Sequence, residues 1–255
     1  NGALKVRLTD TCHKKNYNVL CIDYRQKIEM PTTSNYTSFL KENNIILDKS
    51  IDLAWLELHG GNSINGHIVT VKKGLDFYTD SLIKETFERY FMDKPYKIVL
   101  TSCYGSNALN DSIQLLPIDS EIVALSKAAA TQDEEDINVS LGLTTTLQKT
   151  IEERRDPNNK LILDVPTITV LATYVGAVPT YVKKTGDDRS IKILCDKEES
   201  IENLDTKTLR KFYRQICGIK NLSCEQMLYN SLTANNESKN SARRALWCYK
   251  NLAKV

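Results

Sequence analysis

The chain has 255 residues, enough for one large α/β domain or for a domain with a small appendage. Its 41% hydrophobic and 26% charged residues are those of an ordinary globule. A net charge of +2, from 34 basic and 32 acidic residues, implies no nucleic-acid and no membrane partner. The longest apolar stretch, Thr167 to Val178, is too short to cross a bilayer and is broken by Gly176. Seven cysteines (12, 21, 103, 195, 217, 224 and 248) make an odd count with no Cys-x-x-Cys pair. That pattern predicts neither a disulfide framework nor a zinc site, and it predicts free thiols in a reducing compartment. No signal peptide opens the sequence, and a start at Asn1 rather than Met reads as a piece of something longer. Triplets such as Asn35-Tyr36-Thr37 and Asn138-Val139-Ser140 carry little weight as glycosylation sites without a secretory signal.

Residues 1–16 are polar; Cys12-His13 has no partner at metal-ligand spacing. Asn18 to Asp23 reads as a first strand, and Thr33 to Asn43 as a helix burying Tyr36, Phe39 and Leu40. Ile51-Asp52-Leu53-Ala54-Trp55-Leu56-Glu57-Leu58 is an apolar run stopping at His59-Gly60. Gly60 to Gly66 is a loop by composition. His67 to Val71 alternates like one arm of a hairpin. Residues 79–93 have one apolar face (Leu82, Ile83, Phe87, Tyr90, Phe91) and one charged face, as an amphipathic helix should. Tyr96-Lys97-Ile98-Val99-Leu100-Thr101-Ser102 is a second apolar run, stopping at Cys103.

Strand, helix and strand in this order predict two neighbouring parallel strands. Ligands bind at the carboxyl ends of such strands, so His59 and Cys103 are expected on one rim. An imidazole beside a thiol can take its proton or stabilise its anion, and a thiolate attacks carbonyl carbon. The backbone N–H groups of Gly60 and Cys103 are the natural donors to a developing oxyanion. A helix starting near Ser106 would lower the thiol's pKa through its dipole. Taken singly, each residue has a duller meaning: a small buried hydrophobe for Cys103, a strand terminus for His59. His67 is the rival base, but it opens a strand rather than ending one. Ser102 lacks the Gly-x-Ser-x-Gly elbow of a serine nucleophile.

The paired strand ends, Leu56-Glu57-Leu58-His59-Gly60 and Ile98-Val99-Leu100-Thr101-Ser102-Cys103, resemble the caspase, legumain, gingipain and clostripain-like group of cysteine peptidases (clan CD). The spacing is close to the roughly 50 residues of caspases. The resemblance covers about residues 17–130, strongest at the two strand ends. The caspase sequence Gln-Ala-Cys-Arg-Gly is replaced by Thr-Ser-Cys-Tyr-Gly, so a preference for aspartate is not implied. The resemblance implies a caspase-like three-layer α/β sandwich with a mostly parallel central sheet, placed at residues 1–200. It also implies a Cys103–His59 dyad with no cofactor and no metal, acting on a protein or peptide.

Further along, Glu121 to Ser126 reads as another strand. Its rim, with Ser126 and Lys127, corresponds to the family's pocket for the residue before the cut. Gln132 to Asp136 is an acidic loop from which Asp133 would select a basic side chain, as in clostripain-like relatives; a solvated loop is the plainer reading. Residues 139–155 have a helical pattern, and Glu152 to Lys160 is an exposed, turn-rich loop. Arg154 and Arg155 stand there as a candidate self-cleavage site. Leu161 to Asp164 and Thr167 to Val178 read as strands, and a hairpin is expected around Gly186-Asp187-Asp188. Residues 201–255 read as a helical accessory region: Leu209, Phe212, Tyr213 and Ile216 share a face, Ser223 to Gln226 matches a capping box, and Ser241 to Ala253 follows.

Two functions compete. One is a cysteine endopeptidase cutting peptide or isopeptide bonds, self-processing included, in the cytoplasm or a host cytosol. The other is an inactive caspase-fold domain that binds a protein partner through its helical tail. A nucleotide-binding protein ranks far behind, because neither Gly-x-Gly-x-x-Gly nor a phosphate-loop lysine motif is present.

Overall fold

The computed structural model describes residues 53–56, 59–63, 66–72, 75–78, 91–100, 105–125, 164–203, 205–217, 222–234 and 240–255. These fall into two compact units: residues 53–125 with 180–192, and residues 164–179 with 193–255.

The first unit is built on sheets. Strands β1 (Ala54–Leu56), β5 (Lys97–Leu100) and β6 (Glu121–Leu125) pair in parallel, and β7 (Pro179–Gly186) and β8 (Arg189–Leu194) complete the order β1-β5-β6-β7-β8. β7 and β8 are joined by the Asp187–Asp188 turn, as the sequence predicts, and so run antiparallel. The sheet is therefore mixed rather than mostly parallel. A second sheet, in the order β2-β3-β4, is an antiparallel meander of β2 (His59–Ser63), β3 (Gly66–Lys72) and β4 (Leu75–Tyr78). Residues 60–63, expected as part of a loop from Gly60 to Gly66, are thus a strand, and His59, expected to end the preceding strand, opens it. Backbone pairing with the Val- and Thr-containing β3 overrides local composition there.

The short runs around residues 98 and 122 are uniformly apolar because both faces of their strands are covered. Ile98, Leu100, Ile122 and Ala124 share a cluster with Leu109 and Ile113 of α1 (Leu109–Gln114), while Val99 and Val123 are each only 2% exposed on the alternate positions. Phe91 and Tyr96 stack at 4.4 Å beneath the entry to β5.

The second unit is helical. α2 (Val165–Tyr174) occupies a stretch expected as a strand. A buried helix and a buried strand both read as an unbroken apolar run, and periodicity does not separate them. What decides is the helix start: the Asp164 carboxylate accepts from Thr167 N–H at 2.7 Å, and Pro166 sits in the first turn, where no N–H is missed. Thr169 and Thr173 return their hydroxyls to the carbonyls of Val165 and Thr169, at 2.7 and 2.9 Å, and so can be fully buried. Gly176, at φ 103°, takes the left-handed turn that ends the helix.

α3 (Thr206–Cys217), α4 (Leu222–Thr233) and α5 (Ser241–Leu252) follow near their expected places. α4 begins at Leu222, two residues before the Cys224 start that a Ser223 cap would give, which leaves Ser223 inside the first turn. α2 packs along α5. Phe212 of α3 meets the Tyr249 ring at 5.8 Å, and Gln215 donates to Thr167 Oγ1 at 2.9 Å.

Four of the seven cysteines are paired: Cys195 with Cys248, and Cys217 with Cys224. The expectation of free thiols fails at these positions. Odd count and absent spacing motifs say nothing about which residues the fold brings together. Cys12, Cys21 and Cys103 lie outside the described residues.

Candidate active site at the carboxyl rim

Parallel pairing fixes the rim. Ala54, Trp55 and Leu56 stand opposite Ile98, Val99 and Leu100, and β5 in turn matches Leu100 to Ala124. The carboxyl ends of three strands therefore point the same way. His59 follows Leu56 by three residues, Cys103 follows Leu100 by three, and Ser126 follows β6 directly. The two arms of the candidate dyad thus leave adjacent strands from facing positions.

His59 does not end a strand; it opens β2 and is the register partner of Thr70, with Gly60 opposite Val69 and Asn62 opposite His67. Ser63 and Gly66 flank a two-residue connection. In such hairpins the flanking pair exchanges both backbone hydrogen bonds, and bonded and non-bonded pairs then alternate. The count makes His59–Thr70 a bonded pair and turns the Gly60 N–H away from β3. His67 stands nearer the connection, opposite Asn62, so the two histidines hold distinct places in the hairpin.

Downstream of Cys103 the chain enters a 3₁₀ turn, Gly105–Ala108, and then α1. The expected helical start is thus present within two residues of the cysteine. β3 lies against this turn, and so does β6. The hairpin that carries His59 and the segment that follows Cys103 are neighbours in the fold.

Cys103 itself, the pocket candidates Ser126, Lys127 and Asp133, and the candidate cleavage pair Arg154 and Arg155 lie outside the described residues. Of the predicted site residues, the backbones of His59 and Gly60 are described. Among the described residues no group of three or more His, Cys, Asp or Glu is arranged to hold a metal ion. No helix among them is long and apolar enough to cross a membrane.

One polar cluster escaped the sequence reading. Glu121, 8% exposed at the start of β6, accepts from Lys97 Nζ at the start of β5 and from the Tyr181 hydroxyl on β7. Lys97 Nζ also reaches Asp119 O at 3.1 Å. The cluster sits at the amino ends of the strands, about 10 Å from the rim by strand rise. Its role there is cohesion: a buried carboxylate satisfied by a cation and a hydroxyl ties three strands together. A charged residue opening an apolar strand was the available signal. The tyrosines whose pKa is raised, Tyr174, Tyr213 and Tyr249, belong to the helical unit, and burial is the leading cause for each. They mark packing rather than acid–base chemistry.

Compared with known proteins, the chain matches no family model, no curated protein and no solved structure.

Proposed function

We propose that the chain is a cysteine peptidase of the caspase–legumain type, with a caspase-like arrangement of its sheet. The carrying observation is the parallel pairing that sets Leu56 opposite Leu100, each three residues ahead of a dyad member. The closeness of β3 to the turn after Cys103 supports it further.

In this reading the Cys103 thiolate attacks the scissile carbonyl carbon, and the carbonyl π electrons move to oxygen. The N–H groups of Gly60 and Cys103 receive that oxyanion. Protonated His59 gives its proton to the leaving amine as the C–N bond breaks. Water, deprotonated by His59, then releases the acyl group and restores the thiolate. The substrate is a peptide or isopeptide bond in a protein; Ser126 and Lys127 line the pocket, Asp133 favours a basic side chain, and Arg154-Arg155 is the place for self-cleavage. Two disulfides in the helical unit favour folding in an oxidising compartment, which removes the basis for a cytosolic setting.

The test is a peptide-library digest by the wild-type chain beside Cys103→Ala. Cleavage by the first and none by the second upholds the proposal. A library untouched by either, with a protein partner still bound by both, turns the assignment to an inactive interaction domain.

A further inference from the structure

The two disulfides differ in what surrounds them. Cys195 and Cys248 are both fully buried, at 0% exposure. Cys217, at the end of α3, is 1% exposed, but its partner Cys224, in the first turn of α4, is only half-buried. A thiolate must reach a sulfur along the S–S axis to exchange with it, so access decides which bridge reacts.

The two halves of α4 are also held differently. Leu228 and Leu232, in its second half, are 0% and 1% exposed. Arg243 clamps that end by donating to Leu232 O at 2.8 Å and to Ala234 O at 2.7 Å. In the first half, Ser223, Gln226 and Met227 are exposed, Met227 at 67%. The Cys217–Cys224 bridge ties that half covalently to the end of α3. On the other side of the bridge, α3 keeps its own anchors: Phe212 on Tyr249, Gln215 on Thr167, and buried Ile216.

We infer that Cys217–Cys224 is a thiol-exchange site that latches the first half of α4, and that a small thiol opens it while Cys195–Cys248 stays closed. The thiolate of a cysteine- or glutathione-type thiol attacks Cys224 Sγ. The Sγ–Sγ bond breaks, and Cys217 leaves as a thiolate that takes up the proton shed by the attacking thiol. A second thiol molecule attacks the outer sulfur of the mixed disulfide, leaving the free Cys224 thiol and the oxidised small disulfide. Two thiols lose two electrons and one protein bridge gains them. Opening frees residues 223–227 to fray, because little apolar burial holds them.

The experiment is graded reduced glutathione on the native full chain, followed by iodoacetamide, peptide mass mapping and amide hydrogen exchange. The expected result is alkylation of Cys217 and Cys224 at lower thiol concentration than Cys195 and Cys248. Loss of exchange protection should be confined to residues 223–227, with 241–252 unchanged. A Cys217→Ser/Cys224→Ser variant should fold and show the same local loss without thiol. Both bridges opening together, protection at 223–227 unmoved by reduction, or failure of the double variant to fold would each overturn the inference. None of these readings depends on peptidase activity.

Discussion

Leu56 and Leu100 are register partners on adjacent parallel strands, the last rung of that ladder. From this rung the chain runs the same number of residues to His59 on one side and to Cys103 on the other. Equal counts from a shared rung start the two side chains from matched origins. If they form a dyad, Cys103→Ala abolishes peptide cleavage, and His59→Ala lowers kcat/KM by roughly 10²–10⁴. His67→Ala, one strand away and opposite Asn62, leaves kcat/KM near wild type. Steady-state kinetics on the three variants, with circular dichroism as the check on folding, tests this. A larger loss at His67 than at His59 would exchange their roles.

The two bridges predict a mass and a stability. Intact mass of the unreduced chain is lower than that of the fully reduced chain by two hydrogens for each bridge. On the loop-entropy account, a separation of 53 residues for Cys195–Cys248 corresponds to about 4 kcal/mol, and one of 7 for Cys217–Cys224 to about 2 kcal/mol. Denaturant melts of the Cys195→Ala/Cys248→Ala and Cys217→Ser/Cys224→Ser pairs should rank in that order.

Tyr181→Phe keeps the ring, which is 1% exposed, and removes the hydroxyl that donates to Glu121. Loss of a buried hydrogen bond to a charged acceptor costs about 2 kcal/mol. Lys97→Met takes the cation from Glu121, whose side chain is 10% exposed, and so costs more than the 33% exposure of Lys97 alone suggests. Urea unfolding of the single and double variants gives both numbers and their coupling.

At the start of α3, Asp205 accepts from Thr208 Oγ1 at 2.6 Å, Thr208 N–H at 2.8 Å and Lys207 N–H at 3.2 Å. These bonds, the Thr208 hydroxyl first, hold its carboxyl below the ordinary value. A folded-state pKa below the unfolded one means the cap contributes fully above the ordinary carboxylate range. That contribution is lost as the pH falls through the lowered value. The protection of the Lys207 and Thr208 amides, taken relative to the intrinsic exchange rate at each pH, should fall on acidification, and Asp205→Asn should flatten that dependence. At α2, Asp164→Ala should cost about 1 kcal/mol in a thermal or urea melt, because it deletes the bond to Thr167 N–H.

Local chemistry was legible where one face of an element is polar. The amphipathic α3 and α5 and the β7–β8 hairpin turn stand where periodicity and Asp187–Asp188 put them. It failed where burial is complete, since a helix covered all round, as at Val165–Tyr174, loses its 3.6-residue signature. It failed again at Gly60–Ser63, where composition argued for a loop and a partner strand prevailed. Pairings between residues far apart in sequence, such as Cys195 with Cys248, have no local trace, and the charge that opens the apolar strand at Glu121 hints at a partner without naming Tyr181. For the site, the sequence put the strands around Ala54 and Ile98 side by side in parallel, as the register has them, and read His67 to Val71 as one arm of a hairpin; that His59 opens the other arm went unseen.

The central sheet draws β1, β5 and β6 from one part of the chain and β7 and β8 from another, with residues 126–178 between them, of which 126–163 precede α2. A nick anywhere in that interval divides the polypeptide without dividing the sheet. The Asp119 N–H to Lys184 O and Lys184 N–H to Ser120 O bonds, each 2.9 Å, and the Lys184 ammonium on Gln114 O still hold the pieces together. Protein cut once within residues 126–163 would therefore run as two bands in detergent yet elute from a sizing column as one particle.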